Sequence, residues 1–366
     1  MTIVIFILIL ALLIFVHELG HFLVAKMSGV RVDEFALGFP PKLFSYKYGE
    51  TTYALNLIPF GGYVKIFGED PDQESVAGPD KNRSLVNQPK RVQAGVLVAG
   101  VTFNLILAWV LFSLAFVMGF PVSGDLASQF AATKAKTVIA GVLSNSPAQK
   151  ANLQTGDTLA YVLNLSGDKI TVKTAEDLKP IINHLAPRPL IVGIEAKGDK
   201  KVKEVTVVPS KDIIPGQWAI GLGLEQVAIV ESPWYQAPWL GARMTYDTAI
   251  SMIGGLRDLA VKITHGLPIK EAVVGPVGIA GMVGDARALG LVYLITFTAF
   301  ISINLAIINL LPFPALDGGR LLFLLVEAIK GSPLNPKVAN TLNLIGFAIL
   351  ISFMVYITYG DIVKLF

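Results

Sequence analysis

Cysteine is absent from this chain of 366 residues, which excludes disulfides and removes thiolate from the available metal ligands. Charge is scarce. Asp, Glu, Lys and Arg make up 16% of the residues against 53% hydrophobic, and mean hydropathy is +0.61. That balance does not suit a purely soluble protein; it suits a multi-span membrane protein carrying a modest polar domain. The net charge of +3 is too small to suggest a nucleic-acid partner. Histidine is limited to His17, His21, His184 and His265. A metal site would use imidazole and carboxylate, and its third protein ligand is expected to be Asp or Glu. No Lys or Arg precedes the first apolar run and no small-residue cleavage site follows it, which argues against a cleaved signal peptide.

What is present centres on His17-Glu18-Leu19-Gly20-His21, inside an apolar run from Met1 to about Ala25. On a helix, positions i and i+4 lie about 40° apart around the axis, so both imidazoles project from one face. Placed so, they can share one metal ion, with Glu18 beside them to handle protons. The pattern H-E-x-x-H also arises by chance on soluble helices. Here the ionisable groups sit in a segment that otherwise reads as membrane-spanning, where they are costly and mark a functional site. Sixteen residues precede His17, or roughly 24 Å of rise against a hydrocarbon core of about 30 Å. The site is thus expected inside the membrane but near one aqueous face.

Four spans are expected: about Thr2–Ala25, Val92–Met118, Leu289–Leu311 and Ala339–Tyr359. Between the first two stand Lys26, Arg31, Lys42, Lys47, Lys65, Lys81, Arg83, Lys90 and Arg91, so the positive-inside rule makes that segment cytoplasmic and both termini external. Leu43–Ile58 alternates around Gly49-Glu50 and reads as a hairpin, broken by Pro59-Phe60-Gly61-Gly62-Tyr63. It is equally a strand-addition dock for extended substrate and a scaffold for the first span. Residues 69–90 read as a loose polar loop. In the second span Gly100 would admit a close helix, and Asn104 needs a hydrogen-bond partner in lipid, which helix packing alone could supply.

Residues 125–225 are charged, β-rich and without a span. Lys136–Leu143 is an expected strand and Thr174–Asn183 a short helix, and Leu190–Ala196 and Val202–Val208 are expected to pair across Gly198-Asp199. The order, with Ser146-Pro147-Ala148 and Ala151-Asn152-Leu153-Gln154-Thr155-Gly156-Asp157, resembles a bacterial PDZ domain. Trp218–Leu224 would close its peptide groove, and His184 reads as a surface residue. Trp234–Thr264 has helical apolar spacing with a charged opposite face, fitting an interfacial helix or a cap on the PDZ domain, and His265 is given no metal role. Val274–Gly278 reads as a turn. The third span ends in Asn309-Leu310-Leu311-Pro312-Phe313-Pro314-Ala315-Leu316-Asp317-Gly318-Gly319. Its prolines force extended backbone at membrane depth, which survives only where it lines a cavity or water. Asp317 could cap a helix over Arg320–Lys330, but the crowding of Pro and Gly around it favours a ligand role.

These motifs together resemble the site-2 protease family of intramembrane zinc metalloproteases, in its bacterial, RseP-type branch. The likeness covers nearly the whole chain: H-E-L-G-H, Pro59–Lys65, the Asn of span two, one PDZ domain, Gly275–Ile279 and Asn309–Gly319. It implies zinc held by His17, His21 and Asp317, Glu18 as general base, and Asn309 and Asn104 as substrate-binding residues. It further implies a single-span membrane substrate, of anti-sigma-factor or remnant-signal-peptide type, in the bacterial cytoplasmic membrane. A new peptide C-terminus at the PDZ domain is an implied second partner, beside membrane lipid. Val101 stands where the family's span-two motif has proline. The expected architecture is a four-span α-helical membrane protein with a cytoplasmic-side β-hairpin and an inserted extracytoplasmic α+β PDZ domain. Its parts are residues 1–121 (membrane), 125–225 (PDZ), 226–288 (interfacial helices) and 289–366 (membrane). The rival classes are a metal transporter, expected to show polar residues along several spans, and a non-proteolytic PDZ scaffold, which leaves Glu18 unexplained.

Overall fold

The computed structural model describes residues 1–69, 72–123, 135–164, 166–172, 174–196, 201–214, 216–265, 273–332 and 334–363. Helix α1 (Thr2–Met27) is followed by strands β1 (Val32–Tyr48) and β2 (Thr51–Ile66), a short α2 (Gln73–Ala77) and helix α3 (Lys90–Met118). A strand-rich stretch follows: β3 (Phe120–Ser123), β4 (Ala135–Val142), α4 (Pro147–Lys150), β5 (Thr158–Leu163), β6 (Lys169–Ile170) and α5 (Ala175–Leu185). It continues with β7 (Leu190–Glu195), β8 (Val202–Val207), β9 (Ser210–Ile214), β10 (Gln217–Ala219) and β11 (Leu222–Val230). Helices α6 (Ala237–Thr264), α7 (Pro276–Leu289), α8 (Leu291–Leu310), α9 (Asp317–Lys330) and α10 (Pro336–Val363) complete the chain. Among the described residues α1, α3, α8 and α10 are long and apolar enough to cross a membrane, matching the four expected spans within a few residues at each end.

The residues divide into two compact units, one of Met1–Ser113, Pro238–Val283 and Phe297–Phe366, the other of Leu114–Ala237 and Gly284–Thr296. In the first, α1 ends in a Schellman turn. Gly29 takes φ +76°, and the Gly29 and Val30 amides donate to the carbonyls of Lys26 and Ala25, satisfying carbonyls that the helix leaves free. The chain then enters a core of Ala25, Val30, Val32, Phe35, Val64, Ile66, Leu85 and Val96, which ties the end of α1 to the hairpin and to α3.

The hairpin is larger than its sequence suggests. β1 and β2 pair antiparallel around Gly49-Glu50, and β2 runs through Pro59–Tyr63 to Ile66 instead of breaking there. Repeated register shifts absorb the glycines and prolines. As a result Glu34–Leu37 has partners in both Thr52–Leu55 and Gly62–Lys65. Residues 72–90 also hold more regular structure than a loose loop. Asp72 and Ser75 form a capping box on α2, two 3₁₀ turns follow at Lys81–Arg83 and Leu85–Asn87, and the Asn87 amide donates to the carbonyls of Ser75 and Lys81. Gly275-Pro276 likewise does not form a simple turn but starts α7, with Pro276 at the first position, where its missing N–H costs nothing.

The second unit holds a sheet in the order β3-β11-β4-β5-β7-β8, with β6 on β5, and a separate β9–β10 pair. Its core gathers Ile139, Leu159, Val162, Leu190 and Val192 against Leu178, Ile182 and Leu185 of α5. Ser146 caps α4 and Thr174 caps α5. The expected β7–β8 pair is present, while its Gly198-Asp199 turn lies outside the described residues. β11 runs on to Val230 and pairs with β3, across the boundary drawn at residue 225.

Candidate metal centre

Two chain segments bring three side chains to one point of the first unit. α1 brings His17 and His21, which are 7% and 8% exposed, with ring centroids 4.8 Å apart and planes nearly perpendicular. The loop after α8 brings Asp317. Ala315 there takes φ +75°, unfavourable for a residue with a Cβ, and its amide donates to Asn343 Oδ1 of α10 at 3.2 Å. Asp317 begins α9 but does not cap it: Leu316 is the N-cap residue, and no side chain serves it. The carboxylate instead lies against the histidines, Oδ2 3.0 Å from His17 Nε2 and 3.4 Å from His21 Nε2, and the two Nε2 atoms are 3.2 Å apart.

These distances suit a shared ion. Metal–ligand bonds of about 2.0–2.1 Å in a tetrahedron separate the ligand atoms by about 3.3 Å. Asp317 Oδ2 is moreover buried without a hydrogen-bond donor among the described residues, an arrangement that a cation resolves. His21 is held in the tautomer a metal needs, because Nδ1–H donates to the Val96 carbonyl at 2.8 Å, leaving the Nε2 lone pair free. With neither thiolate nor a third nearby imidazole, a His₂-carboxylate set of this shape fits zinc, leaving a fourth position open. His184 and His265 are both exposed and take no part.

Glycine makes the room. A Cβ on Gly100 would stand 2.6 Å from His17 Cε1 and 2.8 Å from His17 Nε2, in the space the two imidazoles share. One on Gly20 would meet the Ala99 carbonyl carbon at 2.8 Å. The α1–α3 crossing is therefore close at two levels, and Gly100, readable as a packing glycine, borders the metal position itself. Gly318 and Gly319 similarly let α9 start against the carbonyls of Leu311 and Phe313. Gly346 does the same for α10 against Pro314, whose carbonyl oxygen a Cβ would meet at 2.6 Å.

Glu18 turns toward the hairpin: a Cβ on Gly62 would lie 3.6 Å from its Cγ and 2.9 Å from the Ala36 carbonyl oxygen. Asn309 places Nδ2 3.5 Å from His17 Nε2 and is partly buried. Asn104, expected to meet substrate, has no exposed surface, and its amide lies against the other side of the His17 ring, Nδ2 3.2 Å from Nδ1. A cavity of about 660 Å³ opens among Gln93 and Leu97 of α3, Arg320 and Leu324 of α9, and Asn343 of α10. It is bordered by the ion pairs Arg320–Glu69 and Lys90–Glu327.

Comparison with known proteins gives this arrangement a context. The family described as Peptidase family M50 matches residues 5–353. A protein of Bacillus subtilis named regulator of sigma-W protease RasP is 30% identical over 441 residues, covering 100% of this chain and 99% of its own. The zinc metalloprotease RasP of Geobacillus kaustophilus is 30% identical over 427 residues, covering 100% and 98%. A relative from Clostridium perfringens, whose name also describes a zinc metalloprotease, is 35% identical over 353 residues, covering 96% and 95%.

Proposed function

This chain belongs to peptidase family M50, the site-2 proteases, and is a zinc metalloendopeptidase of the bacterial membrane; from that premise we propose that it hydrolyses a peptide bond within or near the transmembrane segment of single-span proteins. His17, His21 and Asp317 are the proposed zinc ligands and Glu18 the general base. The observation that carries this reading is the convergence of three ligand atoms within 3.0–3.4 Å, two from the apolar α1 and one from the start of α9, with Glu18 one residue from His17 and beside the hairpin.

Bound zinc supplies Lewis acidity at the scissile carbonyl and lowers the pKa of water toward about 7. Glu18 takes the water proton and returns it to the leaving nitrogen. A helical substrate buries its carbonyls in its own hydrogen bonds, so the segment to be cut must first unwind. Asn309, at the rim of the centre, offers an amide to the freed backbone groups. The hairpin offers strand addition, consistent with exposed Leu43, Phe44, Tyr46 and Tyr48 on the outer run of β1. The nine cations of residues 26–91, between α1 and α3, support a topology with that segment and the centre toward the cytoplasm and both termini outside. The sheet-and-α5 unit is read as a PDZ domain on the external side that screens bulky ectodomains or binds a new C-terminus. An anti-sigma factor or remnant signal peptide is the proposed substrate class, in keeping with the sigma-W regulator among the relatives.

The test is Glu18→Gln in purified protein with a model transmembrane substrate. Cleavage should be lost while zinc stoichiometry stays at the wild-type value; retained turnover would remove the general-base assignment.

A further inference from the structure

His17 and His21 are supported unequally. His21 has a backbone carbonyl on its Nδ1, which leaves one tautomer and one ring orientation. Among the described residues His17 has Asn104 there, 87 residues away in sequence and on another helix. Asn104 is completely buried, and its backbone is itself fixed, since the Ser302 hydroxyl of α8, also fully buried, donates to the Asn104 carbonyl at 2.7 Å. A carboxamide that is 0% exposed in an apolar helix bundle, within hydrogen-bond distance of an imidazole nitrogen, is costly unless its polar atoms are used.

Oxygen and nitrogen of a carboxamide have the same shape, so either can face the ring, and the two choices have opposite consequences. With Nδ2 facing His17, the ring accepts at Nδ1 and carries its proton on Nε2, the atom directed at His21 and Asp317. Oδ1 is then buried with no donor, and His17 has no lone pair for a metal. With Oδ1 facing His17, Nδ1–H donates to it and Nε2 presents its lone pair to the same point as His21 Nε2. Imidazoles that bind metals nearly always donate their second ring N–H to such an acceptor.

We propose that Asn104 is the positioning residue for His17: its amide oxygen accepts the Nδ1 proton, sets the tautomer and holds the ring edge toward the metal position. It acts through His17 and does not meet the substrate. Gly100, one turn earlier on α3, keeps that ring edge clear, so one helix face both makes space for the imidazole and orients it. Val96, a further turn away, supplies the carbonyl for His21. Val96, Gly100 and Asn104 thus form an i, i+4, i+8 row on α3 serving the two histidines of α1, and α3 acts as the orienting element of the centre. This rests on the reading of His17, His21 and Asp317 as zinc ligands.

Full-length protein in detergent is compared as wild type, Asn104→Leu and Asn104→Asp, reading zinc affinity by competition with a chromogenic chelator and apo-protein melting as a control for folding. Leu keeps the volume but removes the acceptor, and zinc affinity should fall 10- to 100-fold. Asp keeps an oxygen at the same place and should stay within about threefold of wild type. If Asn104 instead donates to His17, wild type carries the wrong tautomer and neither Leu nor Asp would lower zinc affinity, and that outcome overturns the proposal. Because the chain has four histidines, ¹⁵N-histidine spectra of the zinc-loaded protein resolve the tautomer directly. A His17 proton on Nδ1 in wild type is expected, and a proton on Nε2 overturns the proposal even if a variant fails to fold. Asn104→Leu matching a zinc-binding wild type refutes only the positioning role. A wild type whose zinc uptake is unchanged by Asp317→Ala refutes the ligand assignment beneath it.

Discussion

Replacing Gly100 by alanine adds one methyl group in the middle of α3, directly against the imidazoles of the metal centre. A Cβ at this position stands 2.6 and 2.8 Å from His17 Cε1 and Nε2, against ordinary carbon contacts of about 3.5–4.0 Å. The imidazole must retreat by roughly 1 Å. Ligand atoms tolerate displacements of about 0.2 Å from ideal metal distances, so the shift is several times the tolerance. Disturbed ligand support of this kind costs about 10- to 100-fold in metal affinity, or about 1.4–2.7 kcal/mol. The same substitution favours the helix by up to about 1 kcal/mol, because glycine is a poor residue in a helix interior. Gly100→Ala should therefore weaken zinc binding, while apo-protein melting reflects the helix gain set against about 1–3 kcal/mol of crowding on the imidazoles. Gly95→Ala is the control, since a Cβ there meets nothing within 4 Å; it should share the helix gain and keep zinc. The assay is chelator competition for zinc with a thermal melt of the apo protein. Wild-type zinc affinity in Gly100→Ala would refute the placement of α3 against the two histidines.

Two further predictions concern features outside the metal centre. Glu50, in the hairpin turn, is held at about pKa 2 by hydrogen bonds from Arg83 and Lys26, so it stabilises the fold fully above its unfolded value near 4.5 and loses that contribution as pH falls from there toward 2. Melting temperature followed over that window should fall less steeply in Glu50→Gln than in wild type, and equal slopes would count against the ion pair. Asp361 of α10, 7% exposed, accepts from the Gly278 amide at 2.8 Å, and a Cβ on Gly275 would meet its Oδ2 at 2.7 Å. Asp361→Ala should cost about 0.5–2 kcal/mol of local stability at the start of α7, read as faster hydrogen exchange at residues 277–279; unchanged exchange would show that this cap does not hold the helix.

Much of the centre could be read along the chain, because its signals act over short distances. H-E-x-x-H fixes two imidazoles on one face through the helical period alone, and hydropathy over some twenty residues locates each span. Pro312, Pro314 and the Gly318-Gly319 pair mark Asp317 as a carboxylate on broken backbone at membrane depth. The scarcity of histidine and the absence of cysteine narrow the ligand set by composition alone. Other features were decided by tertiary structure. Pro59–Tyr63 read locally as a strand break, yet pairing with Glu34–Leu37 carries β2 through it to Ile66, since ladder hydrogen bonds and a shared core outweigh local propensity. Gly275-Pro276 reads as a turn until Asp361, more than eighty residues on, is seen to accept the Gly278 amide of the helix it begins. The role of Asn104 depends on how far α3 is rotated about its own axis against α1. That rotation is set by close contacts at Gly20 and Gly100, between residues roughly eighty apart. No local period encodes such a rotation, so composition and spacing determined which residues could bind a metal, and the packing of α3 on α1 decided which neighbours orient them.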